Sequence, residues 1–162
     1  MFKKILVPLD GSALAERAIE QVEKMAEGSG AEVLLLKVVP PPLAKAPESG
    51  QIEESKALAD AVARATAYLQ NIAKRLTAIS VKFRVLVSSG EPYAEILATA
   101  HGEDVDCIVM STHGGTALAR TLLGSTAERV VYTTKRPVFL VKPEKIHAAR
   151  MEEGDIFAGI AR

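Results

Sequence analysis

The sequence predicts an α/β fold: an open, doubly wound, five-stranded parallel sheet with helices on both faces. Short aliphatic runs alternate along the whole chain with stretches of helical periodicity. Val33 to Val39 is apolar at every position except Lys37, as in a strand buried on both faces of a parallel sheet. Right-handed crossovers between parallel strands then give a sheet with helices above and below.

The elements follow in order. Lys3 to Leu9 is an aliphatic run that ends in Pro8-Leu9-Asp10-Gly11-Ser12. Leu14, Ala18, Val22 and Met25 then recur at helical spacing as far as Gly28, which gives strand, turn and helix. Gly28-Ser29-Gly30 precedes a strand, so it is a helix stop and not a dinucleotide fingerprint. Val33 to Val39 is the second strand, stopped by the prolines at 40 to 42, with a loop to about Gly50. Leu58, Val62, Ala65, Leu69, Ile72, Leu76 and Ile79 mark a long amphipathic helix, with Asp60, Arg64 and Lys74 outside. A coiled coil shares that pattern, but the flanking strands favour a crossover helix.

Val81 to Val87 is the third strand, and Gly90-Glu91-Pro92 opens a helix whose proline stands where its missing N–H costs nothing. Ala94, Leu97 and Ala98 are expected to form the inner face of this helix, which runs to His101. Cys107 to Met110 is the fourth strand, Ser111 to Gly124 a loop, and Ser125 to Thr134 a helix that buries Val130 and Val131. Arg136-Pro137 leads into the fifth strand, Val138 to Val141. One domain spans 1–142, and 143–162 is a C-terminal tail that is either a docked helix or a loose end.

Charge and composition narrow the function. Twenty Lys and Arg balance twenty Asp and Glu in 162 residues, so the footprint of a nucleic-acid binder is missing. An apolar content of 48% supports a core and excludes a disordered chain. The one cysteine, Cys107, cannot form an internal disulfide, and its apolar strand marks it as a small buried hydrophobe. No run of 18 apolar residues suggests a membrane span, and the first nine residues are too short for a signal peptide; a cytoplasmic location is expected.

Ligands of such sheets bind beyond the carboxyl ends of the strands, where the strand order reverses. The first turn holds Asp10-Gly11-Ser12. The fourth holds Ser111-Thr112-His113-Gly114, nine residues from Gly115 to Leu123, then Gly124-Ser125-Thr126 at a helix start. The unpaired N–H groups and positive dipole end of that helix suit an anion, with hydroxyls of Ser125 and Thr126 beside them. The blander roles are that Ser125 caps its own helix, Asp10 caps the first helix, and the glycines only turn the chain. His113 and Arg120 are within the loop that would meet phosphate, with a solvated side chain as the competing role for each.

Ile5-Leu6-Val7-Pro8-Leu9-Asp10-Gly11-Ser12, Gly90-Glu91-Pro92, Val109-Met110-Ser111-Thr112-His113-Gly114, Leu122 to Val130 and Arg136-Pro137-Val138 together resemble the universal stress protein family, over Phe2 to about Lys142. The resemblance implies the strand order 3-2-1-4-5 and, for one branch, ATP binding through Gly-x-x-Gly, nine residues, Gly, then Ser or Thr. This chain keeps Gly114, the spacing, Gly124 and Ser125, and departs at the first glycine, which is Ser111. By the same resemblance, Asp10 stands at the nucleoside end and the backbone of Val38 meets the adenine edge, with Pro8 counted among the candidate nucleotide-binding residues. Met110 walls the base pocket, and Ser111, Gly114, Gly124, Ser125 and Thr126 match the positions that hold ribose and phosphates, with His113 kept as a candidate only by its place in the loop.

No Gly-x-x-x-x-Gly-Lys-Ser/Thr loop is present, and Asp10-Gly11-Ser12-Ala13 is not the Ser-Gly-Gly-x-Asp-Ser loop of adenylating enzymes. Catalysis is therefore not indicated, although slow ATP hydrolysis stays open. The leading expectation is an ATP-binding regulator in stress, with Mg or Mn as the cation bridging phosphates where one is used. Its working state is a homodimer through the fifth strand, with a protein partner of unknown identity. A dimeric interaction module without ATP, and a small enzyme on a phosphorylated metabolite, are the alternatives.

Overall fold

The computed structural model describes residues 2–41, 51–76, 81–112 and 123–142. Among them, strands and helices alternate as β1 (Lys4–Pro8), α1 (Ala13–Ala26), β2 (Glu32–Val39), α2 (Gln51–Leu76), β3 (Lys82–Ser89), α3 (Pro92–Gly102), β4 (Cys107–Ser111), α4 (Ser125–Thr133) and β5 (Val138–Val141). The strands form one sheet in the order β3-β2-β1-β4-β5, and each neighbouring pair is parallel. Both the class and the order are those expected. The tail beyond Lys142 lies outside the described residues.

Successive side chains of a strand point to opposite faces, and this alternation sorts the core into two layers. Ile5, Val7, Val33, Leu35, Cys107 and Val109 meet Ala18 and Val22 of α1 and Leu69 and Ile72 of α2. Leu6, Leu34, Leu36, Ile108 and Met110 meet Ile96 and Ala100 of α3 and Ala127 and Val130 of α4. Burying each large aliphatic side chain contributes about 1.5–3 kcal/mol, so both faces of the central strands hold the sheet.

α2 packs on β2 and β3, which makes it a crossover helix, and it buries Ala65, Leu69, Ile72 and Leu76. Ile79 lies outside the described residues. The expected inner face of α3 needs correction. Ile96 and Ala100 are the buried positions, whereas Ala98 is exposed. This helix is apolar on several sides, so its spacing alone does not select the stripe that meets the sheet. At the stop after α1, the Ser29 hydroxyl donates to the Ala26 carbonyl at 2.8 Å and accepts from the Ala31 N–H at 3.1 Å. At the opposite end of the sheet from the turns considered next, a carboxylate oxygen of Asp106 accepts from the N–H groups of Lys3 and Lys4 at 2.6 and 2.8 Å. Among the described residues, no helix is long and apolar enough to cross a membrane.

Candidate functional site

The ladder between β1 and β2 runs as far as Pro8 opposite Leu36, but β1 pairs with β4 only at Ile5 opposite Cys107 and Leu6 opposite Ile108. Beyond that point β4 continues to Ser111 on β5 alone. Pro8 accounts for the parting. The N–H of Leu9 donates to the Leu36 carbonyl of β2 at 2.8 Å. Alternate residues of a parallel strand bond to opposite neighbours, so the backbone nitrogen of Pro8, which has no hydrogen, faces β4. A crevice therefore opens between the carboxyl ends of β1 and β4, at the switch point of the sheet.

Asp10-Gly11-Ser12 forms one lip. A carboxylate oxygen of Asp10 accepts from the Ser12 N–H at 2.8 Å, and the Ser12 hydroxyl accepts from the Ala15 N–H at 3.1 Å. Ser12, and not Asp10, is thus the N-cap of α1. The Asp10 side chain closes the turn instead, as short acidic side chains do. Gly11 has φ +91°, a conformation that other residues rarely adopt.

The second lip comes from β4 and α4. Ser111 and Thr112 are buried although polar. The Thr112 N–H donates to the Val141 carbonyl at 3.0 Å, and the Thr112 carbonyl accepts from the Gly124 N–H at 2.6 Å. That last bond brings the start of α4 to the end of β4, across the intervening loop. Gly124 is the N-cap of α4 and Ser125 its first helical residue, so Ser125 does not cap this helix. Glycine supplies no capping side chain, and the positive end of the helix dipole faces the turn unscreened by one. Ser125 is exposed and Thr126 half-buried. His113, Gly114 and Arg120 lie outside the described residues.

Val38 and Met110 belong to one apolar cluster on the face covered by α3 and α4, Met110 buried and Val38 half-buried. With β1 between their strands, the sheet order sets Pro8 and Asp10 between them at the same carboxyl end. Cys107 takes no part. It is fully buried, and burial, aided by the charge of Asp106, pushes its thiol up to about 11. Among the described residues, no group of three or more His, Cys, Asp or Glu is placed to hold a metal ion.

One residue of the first lip was missed in the sequence. The Lys37 ammonium donates to the backbone carbonyl of Asp10 at 2.7 Å. The available signal was a lone charge near the carboxyl end of an otherwise apolar strand.

A doubly wound, five-stranded parallel sheet of order 3-2-1-4-5 with a helix starting at its switch point defines a class of α/β proteins. Within that class, a model of the universal stress protein family matches residues 1–142. The chain belongs to the universal stress protein family. It is 33% identical over 158 residues to universal stress protein MJ0577 of Methanocaldococcus jannaschii, covering 88% of this chain and 96% of the relative. The solved structure of MJ0577 superposes with a TM-score of 0.80 at 34% identity, over 90% of this chain and 99% of that one. UspA from Lactobacillus plantarum gives a TM-score of 0.76 at 25% identity, over 86% and 97% of the two chains. A universal stress protein solved in complex with cAMP shares the fold at 20% identity, with a TM-score of 0.63 over 88% and 98%.

Proposed function

We propose that this protein binds ATP in the crevice between the turns after β1 and β4 and acts as a nucleotide-dependent regulator during stress, not primarily as a catalyst. The adenine lies between Val38 and Met110, the ribose near Pro8 and Asp10, and the triphosphate at the amino end of α4, with Ser111, Ser125 and Thr126 around it. His113 and Gly114 complete the loop in this reading. The observation that carries it is the start of α4: Gly124 as N-cap, tied to Thr112 at 2.6 Å, aims the end of a helix at the mouth of the crevice. Such ends favour anions through their N–H groups and dipole.

The donor set fits the ligand, with hydroxyls and backbone N–H groups for phosphate and apolar walls for a base. A divalent cation, Mg or Mn, would ride on the phosphates. The cAMP-bound relative shares the fold, and cAMP carries the same adenine and ribose. The regulator works in the cytoplasm as a homodimer through β5, and a protein partner reads its nucleotide state. Calorimetry with ATP on the wild type and on Gly124→Val tests the site. Binding by the wild type that is lost in the folded variant is expected; equal affinities overturn the site.

A further inference from the structure

Lys37 follows Val33 and Leu35 in the row of β2 that faces α1 and α2, with Val39 after it at the strand's end, and Val38 beside it belongs to the other face, in the cluster that holds Met110. Its half-buried stem continues that apolar row, and its ammonium emerges at the carboxyl end of the sheet under the first turn. There it donates to the Asp10 carbonyl at 2.7 Å. A Cβ on Gly11 would stand 3.2 Å from the same nitrogen, so the ammonium sits close under the turn. On the far side, the ammonium lies 5.4 Å from the ring centroid of Tyr68 on α2. The Tyr68 hydroxyl donates to Glu16 of α1 at 3.0 Å, and Arg75 of α2 pairs with the same carboxylate at 2.9 Å. Burial pulls the Lys37 pKa down and the nearby Asp10 charge offsets part of this, so a cation is kept here at a desolvation cost.

We infer that Lys37 is a positioning residue for the nucleotide site, a strut from the α1 and α2 side that fixes the Asp10-Gly11-Ser12 turn and so holds the Asp10 carboxylate toward the ribose. This role rests on the ATP reading proposed above. Lys37 stands behind the turn, on the opposite face of β2 from Val38, and so acts through Asp10 and not on the ligand.

The test combines a binding cycle with a measurement that needs no ligand. ATP affinity is measured by calorimetry for the wild type, Lys37→Met, Asp10→Ala and the double variant. Lys37→Met is expected to weaken binding on the order of fivefold alone and by less than about twofold in the Asp10→Ala background, the non-additivity of two residues acting as a unit. Equal losses in both backgrounds, or no loss in either, overturn the inference. Hydrogen exchange without nucleotide reads the strut itself. Lys37→Met should speed exchange at the Ser12 amide by about tenfold while leaving α3 unchanged, since the opening is local. Unchanged exchange at Ser12 overturns the strut whatever the binding data show. A wild type that binds no ATP overturns the ATP reading and the role of Lys37 toward nucleotide, and is distinguished from failure of the strut by the exchange result.

Discussion

Ser111 is the residue at which this chain leaves the ATP-binding pattern, and the structure buries it at the end of β4, opposite Val141. In the ATP reading proposed above, a small hydroxyl there is a donor to phosphate and not an obstruction. Ser111→Gly is therefore expected to weaken ATP binding by roughly 1 kcal/mol, about fivefold, the net worth of one hydrogen bond. Calorimetry on the folded variant checks it, and tighter binding would mean that the side chain crowds the loop. Cys107 gives a second expectation. With its thiol raised to about 11 and its side chain out of contact with solvent, it is neutral and inaccessible at pH 8. Iodoacetamide should label it only on unfolding; native labelling as fast as in denaturant would contradict the burial. Both residues were legible as residues, Cys107 from its apolar neighbours and Ser111 from a broken motif. Lys37 was not, because its acceptor lies 27 residues away and only the pairing of β1 with β2 brings the two together.

At the scale of elements, the pairing of β1 with β4 is short and is pinned at its start by Asp106. The two N–H groups of Lys3 and Lys4 stabilise the charged carboxylate and hold its pKa below the ordinary range, with the Lys3 charge and Arg136 adding to this. A carboxylate whose folded pKa is depressed contributes stability above its unfolded value, near pH 4, and loses it as pH falls through the lower folded value. Asp106→Ala is thus expected to cost roughly 1–2 kcal/mol at pH 7, and less at pH 2.5, which lies below the unfolded value and where the charge therefore contributes less. Urea unfolding at the two pH values measures the difference; a gap that does not narrow in acid would show that the charge is not what matters. The elements themselves were legible because the apolar period switches between strand and helix at each boundary. The stripe of α3 was not, since a helix with apolar residues on several sides is oriented by what it packs against. Nor was the capping of α1: Asp10 and Ser12 are both good caps, and the turn geometry chose Ser12.

For the whole molecule, the feature that matters most is the edge at β5. Val138-Phe139-Leu140-Val141 has no charge, proline or glycine, and Phe139 remains 39% exposed, with Phe2 edge-on at 5.5 Å. Natural edges without such blunting are usually covered. In the proposed homodimer a two-fold partner lays its own β5 antiparallel alongside, an isologous contact that covers both β5 edges and cannot repeat to form a fibre, with β3 at the outer edges of the joined sheet. Light scattering on the full chain and on a chain ending at Glu144 is expected to give a dimer in both. A monomeric full-length chain whose truncation dimerises would assign the cover to residues 145–162. Strand order was legible only through resemblance, because alternation of strands and helices fixes the class without saying which strand lies at the centre.

The central position of β1 has a consequence during synthesis. β1 is made first, and its β2 side can close as soon as Glu32 to Leu36 have emerged. Its other side must wait for Cys107 and Ile108. At roughly 5–20 residues per second, that is a delay of about 4–14 s in which the middle of the final sheet is an apolar edge on the ribosome. A nascent chain stalled after β3 would present Ile5 and Leu6 to any other strand nearby.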